Sequence, residues 1–193
     1  MAVTYTNNTS EKLYAPAYIV ATLYSDGDTA GSPSGDSYIL EDVIRDTTNG
    51  SQEDNDVTNI ECETSDSPIL SIVKRGAVTI EAEVADTQTD LLIALCGFTS
   101  DGTKVYAPSR YQLGYIKFDI VYKLSDGSLV AWVYPKVQLN TRMLIEELNS
   151  NPNRIKLAGT ARDISVTVDG ETKYTPFHKE TGYTLPTEES TEE

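Results

Sequence analysis

The chain has 193 residues, of which 30 are acidic and 15 basic, for a formal net charge of −15. That length supports one domain with a full core. The acidic balance argues against a surface that grips nucleic acid through its phosphates, and equally against docking on an anionic membrane.

Residues 13–24 read as a first strand, with Pro16 marking an edge or a bulge. Residues 25–56 form a long excursion. Its first part, 25–35, is rich in Gly, Ser, Asp and Pro, and its last part, 46–56, has almost no apolar residue. A segment this long and polar is expected to be disordered or ordered by a partner. Between the two parts, Ile39, Leu40, Val43 and Ile44 fit a short amphipathic helix behind an Asp36 or Ser37 cap, with a strand as the alternative. Residues 57–63 alternate as a strand, and 68–74 give a short apolar run. In 76–84, Val78, Ile80, Ala82 and Val84 fall on one face, and Ala77, Thr79, Glu81 and Glu83 on the other. The period then changes. Residues 86–97 carry a polar start, an acidic first turn, an apolar body and a Gly97 stop, which predicts a buried helix.

The run 114–123 and the run 129–134 flank Leu124-Ser125-Asp126-Gly127-Ser128, an Asp-Gly hairpin. A two-residue loop would set Ile120 opposite Val133. A three-residue loop with Gly127 left-handed would set it opposite Trp132. The second is favoured because it gathers Phe118, Ile120, Tyr122, Val130, Trp132 and Tyr134 on one face. The other face then carries Lys117, Asp119 and Lys123 beside Val121, Ala131 and Val133, and reads as half-buried or suited to contact with another chain. Residues 137–147 are ambiguous between strand and helix, and 154–162 read as a strand. A second Asp-Gly hairpin joins 164–168 to 171–174 through Asp169-Gly170, and an acidic tail, 185–193, reads as loose. Together these elements predict a mostly β single domain, a sandwich or barrel with one packed α-helix, a long inter-strand loop and an extended terminal arm.

Chemistry is thin. Cys62 and Cys96 are far apart and suggest neither a disulfide framework nor a zinc site. The only histidine, His178, lies in a polar stretch and reads as a solvated loop residue. Glu81 with Glu83, and Glu61 with Glu63, share strand faces as hydrolytic carboxylates would, but with 30 acids such pairs arise by chance. Asp54-Asn55-Asp56 and Asp26-Gly27-Asp28 lack the spaced ligands of a calcium loop, and no glycine loop cradles phosphate. No cofactor, metal or enzymatic activity is expected. No apolar run reaches the roughly 20 residues of a membrane helix. Residues 1–8 show no signal peptide, so a reducing cytoplasm is the expected place of synthesis. The aromatic set is Tyr-rich, 12 against 3 Phe and 1 Trp, and suits protein–protein contact.

Three stretches carry a family likeness. Gly76-Ala77-Val78-Thr79-Ile80-Glu81-Ala82-Glu83-Val84-Ala85-Asp86 runs into Leu91-Leu92-Ile93-Ala94-Leu95-Cys96-Gly97. The Asp-Gly hairpin leads to Ala131-Trp132-Val133-Tyr134, and residues 152–162 follow as a strand. In their order these segments resemble the major tail proteins, or tail tube proteins, of long-tailed bacteriophages. The polar region 25–56 departs from the family's residues, though it stands where the family carries a variable loop. The resemblance implies a virion structural protein, assembled in the bacterial host cytoplasm, that stacks as hexameric rings into a tail tube. It implies partners among other tail proteins (tape measure, terminator, baseplate or hub), and genomic DNA passing through without specific binding. Glu81 and Glu83 become lumen candidates. Tyr38, Ile39, Leu40, Val43, Ile44, Lys117, Asp119 and Lys123 become subunit-contact candidates. The alternative is a β-sandwich binding module: a virion decoration, adhesin or receptor-binding domain.

Overall fold

The Asp-Gly hairpin takes the three-residue loop. In the computed structural model, which describes residues 15–62, 65–109, 114–144 and 153–187, Trp132 lies opposite Ile120 and Val130 opposite Tyr122. Gly127 is left-handed at φ 87°, and Leu124 N–H donates to Ser128 O at 2.9 Å to close the loop. In the second hairpin Val168 lies opposite Glu171, and both Asp169 (φ 54°) and Gly170 (φ 79°) are left-handed. This is the two-residue turn.

In chain order the strands are β1 (Tyr18–Leu23), β2 (Ser37–Leu40), β3 (Asn49–Gln52), β4 (Asp56–Cys62), β5 (Ser65–Lys74) and β6 (Val78–Val84). Helix α1 (Thr89–Cys96) follows, then β7 (Thr99–Ser100), β8 (Val105–Tyr106), β9 (Tyr115–Lys123), β10 (Leu129–Leu139) and β11 (Arg142–Leu144). The chain continues through β12 (Arg154–Ala161), β13 (Ile164–Val168), β14 (Glu171–Thr175) and β15 (His178–Thr181). The main antiparallel sheet runs β2-β1-β9-β10-β12-β6-β3. Its two ends are held by one stretch of chain. Strand β2 pairs with β1. A few residues later Val43 bridges Val84, Ile44 N–H donates to Glu83 O at 2.8 Å, and β3 pairs with β6. Segment 37–52 therefore bends across from β1 to β6 and joins the two ends of the sheet into a barrel, although β2 and β3 do not pair with each other.

This is a correction to the sequence reading of 36–45. The segment is a strand followed by a bridge, not a helix, and the polar residues 46–56 are ordered by their own chain. Leu40 enters the core while Ile39 stays exposed, which is the two-residue period of a strand. Asp46 adopts φ 63°, and Thr47 Oγ1 accepts from Glu83 N at 3.0 Å, so a polar bulge carries the chain along β6. Residues 25–35 are ordered too. The Asp28 carboxylate accepts from Ser25 N, Ser34 N and Ser34 Oγ at 2.6 to 2.8 Å, and these bonds hold its pKa below the usual carboxylate range.

The core fills the barrel and the gap under α1. Val78, Ile80, Ala82 and Val84 point inward from β6, Phe118 and Ile120 from β9, and Ile155 and Leu157 from β12. Helix α1 covers one end with Leu91, Leu92, Leu95 and Cys96, while Ile93 faces out, so the helix is buried on one side only. Gly97 stops it at φ 68°. Burial pushes the Cys96 thiol up to about 11, as expected of an inert core thiol; the Cys62 side chain lies outside what is described. The ambiguous residues after 136 are strand: β10 runs to Leu139 and β11 follows. Residues 145–147, like 13–14 and 188–193, lie outside the described residues.

Candidate functional site

Hairpin β4–β5 stands outside the barrel. It pairs with no strand of the main sheet. Val57 pairs with Val73 on one face, while Ile60 pairs with Leu70 and Thr58 with Ile72 on the other. All five aliphatic residues are about half exposed, from 46% at Ile60 to 60% at Val73. The hairpin is rooted at its base. Arg75 pairs with Asp163, which ties the end of β5 to the start of β13. An isolated two-stranded hairpin is marginal in water, and one that offers aliphatic side chains on both faces needs something to cover it. The sequence showed the first run as a strand and the second as a short apolar run. It did not show that they leave the barrel, because alternation does not say which strand pairs with which.

The outer face of β9 and β10 is covered by the chain itself. Strand β15 pairs with β10 from Val130↔Thr181 to Val133↔His178. Beyond it Tyr183 lies over a second core of Val20, Val121, Ala131 and Val133, with Leu185 packed alongside. Tyr183 Oη donates to Asp119 Oδ2 at 2.6 Å, and Lys117 Nζ lies 2.9 Å from the same oxygen. Asp119 is fully buried, and Oδ1 has no hydrogen-bond partner among the described residues. Burial raises the Asp119 pKa, against the opposing pull of Lys117, and burial beside Asp119 raises that of Tyr183.

Residues 178–187 thus form a strap folded back on the barrel. Asp119 is corrected as a subunit contact: its partners are Tyr183 and Lys117 of its own chain. Leu40 is likewise corrected, being core. Tyr38 and Val43 are half-buried against the core, Ile44 is half-buried, and Ile39 and Lys123 remain on the surface. His178 sits exposed on β15, in a strand rather than a loop. Among the described residues no group of His, Cys, Asp or Glu could hold a metal ion.

Glu81 and Glu83 lie on the outer face of β6, as their alternation requires. Each meets a cation of β12, Lys156 Nζ to Glu81 at 2.8 Å and Arg154 Nε to Glu83 at 2.5 Å. The pairs are diagonal: Lys156 lies opposite Glu83 and Ala158 opposite Glu81, so each cation reaches the glutamate two positions away on the facing strand. Such surface pairs add ~0–1 kcal/mol each. Their larger effect is to cancel the acidity of this face.

No protein-family model matches the sequence, and no curated protein matches it. Among solved structures, a chain in the cryo-EM structure of the anti-feeding prophage baseplate, six-fold symmetrised, is similar over 89% of this chain and 97% of that chain. The TM-score is 0.44 at 8% sequence identity. A likeness this weak says nothing of what this chain does.

Proposed function

We propose that this chain is a virion structural protein whose copies associate through hairpin β4–β5 into stacked rings, the wall of a phage tail tube. The observation that carries the reading is the hairpin: a two-stranded element with five exposed aliphatic residues and, among the described residues, no cover from its own chain. The order of the β6–α1 unit, the Trp132 hairpin and β12 supports it, as the part of the chain that resembles tail tube proteins. The chain catalyses nothing in this reading. Its partners are further copies of itself and the tail proteins at the two ends of the tube. The DNA conduit is faced by Glu81 and Glu83 in their pairs with Lys156 and Arg154. That surface offers phosphate no excess of positive charge, so DNA slides without counterion-driven binding.

The test is Ile60→Asp with Ile72→Asp. Both side chains are about half exposed and lie outside the barrel core, so the cost to folding should stay at ~1–2 kcal/mol. Sedimentation velocity should show the parent chain as large assemblies and the double variant as a folded monomer. Assembly that is unchanged in the variant would remove the hairpin from the interface.

A further inference from the structure

Strand β2 ends the main sheet, and among the described residues no strand pairs with its outer edge. Leu23 N–H donates to Asp36 O at 2.9 Å on one side of β1, and Tyr24 N–H donates to Tyr115 O at 3.2 Å on the other. Successive residues of an antiparallel strand bond to opposite neighbours. Tyr38 and Leu40 therefore bond β1, and the N–H and C=O of Ser37 and Ile39 point away from it. Beside that edge runs a groove of about 900 Å³, bounded on its far bank by the link from β6 into α1. Its charged lining is Asp36 on the β2 bank and Asp86 and Asp90 on the other, with no Lys, Arg or His. Asp86 Oδ1 accepts from Gln88 N at 3.0 Å, and Asp90 stands in the first turn of α1, where the helix dipole favours a carboxylate. These local roles leave the charge unanswered: none of the three acids is ion-paired among the described residues. Burial raises the pKa of the Tyr38 hydroxyl, and Asp36 and Asp90 both add to the rise, so carboxylates of the two banks converge on one phenol.

We propose that the outer edge of β2 takes an extended, lysine- or arginine-bearing segment of another protein as an added strand, seated in the groove between β2 and α1. An unpaired edge is a template for a further strand, and proteins blunt the edges they leave free with lysine, proline or a bulge. Ser37-Tyr38-Ile39-Leu40 carries none of these. Main-chain bonds to Ser37 and Ile39 supply affinity, and alternate side chains supply specificity. One set of alternate side chains on the added strand shares the face of Asp36 and Tyr38, where three carboxylates and no cation select positive charge. The other set lies beside the exposed Ile39, which suits aliphatic residues. The partner is thus a strand in which basic and aliphatic residues alternate. A second copy is a poor occupant. A chain of net charge −15 is repelled by an acidic groove, and the hairpins outside the main sheet, β4–β5 and β13–β14, carry one lysine each. The contact is separate from association through β4–β5.

The probe is a fluorescein-labelled peptide of alternating lysine and valine, titrated with the intact chain and read by anisotropy. Saturable binding is expected, with none by the counterpart that carries glutamate for lysine. A peptide N-methylated at its valine amides keeps the charge and loses the donors that face β2, so it should bind ~10-fold more weakly. Ile39→Pro removes an outward N–H of the edge, leaves the bonds to β1 in place and should weaken binding of the unmodified peptide in the same direction. Asp36→Asn with Asp90→Asn should weaken it too, most at low salt. Hydrogen exchange of the parent chain, which needs no variant, should show the Ser37 and Ile39 amides slowed by the peptide. The absence of saturable binding overturns the inference. Equal binding of the N-methylated peptide overturns it as well, since attraction by net charge alone would then suffice. Protection confined to other strands does the same. The readout does not require assembly: a chain that forms tubes but takes no peptide sinks this inference alone.

Discussion

Asp119 concentrates most of the unusual chemistry of the chain. It is a fully buried carboxylate on a strand, with Tyr183 and Lys117 on one oxygen and no partner among the described residues on the other. Burial raises its pKa above the ordinary value of about 3.9. The sign of the linkage follows. The folded state binds the proton more tightly than the unfolded chain, so the favourable contribution is complete below the ordinary pKa and is lost as pH rises through the raised one. Lys117, Glu180 and Tyr183 are the other titratable groups acting on it, and only Lys117 is a cation. Asp119→Asn keeps the shape and does not titrate. Thermal unfolding across the acid-to-neutral range should show the parent chain losing stability relative to Asp119→Asn as pH rises. A difference independent of pH would show that Asp119 does not change its charge state across this window.

At the scale of elements, close crossings and the turn chemistry hold the barrel in register. Gly159 of β12 lies under β10, where an added Cβ would stand 2.5 Å from Val137 Cγ1 and 2.8 Å from Gln138 O. One of those neighbours is backbone and cannot turn aside, so Gly159→Ala should cost ~1–3 kcal/mol by overpacking. Urea denaturation would measure it, and a change below about 0.5 kcal/mol would show that the two strands separate freely. Elements whose determinants are local were legible in the sequence. The central register follows from a turn glycine and six alternating residues, β6 from clean alternation, and the end of α1 from Gly97. Elements decided by distant partners were not. The spacing of Ile39, Leu40, Val43 and Ile44 suits a helix or a strand, and it is pairing with β1 and β6 that selects the strand. The cations that answer Glu81 and Glu83 come from a strand more than seventy positions on, and Tyr183 lies 64 residues from Asp119. Phe177 meets Trp132 from a segment more than forty residues on, which no local pattern announces.

The whole molecule pairs a closed barrel with an uncovered hairpin. Segment 37–52 closes the main sheet, and strap 178–187 seals its outer face, so apolar surface is concentrated where β4–β5 projects. A net charge of −15 keeps separate copies apart and is screened at physiological salt, which leaves the hairpin free to drive association. Under the proposed function, copies of this chain build a hollow tube. Negative-stain electron microscopy of the purified intact protein at physiological ionic strength tests it most directly. Rings that stack into tubes with an open bore, lined by the outer face of β6, are the expected result. A monodisperse monomer at every concentration, with no rings even when seeded by tail ends, would contradict it.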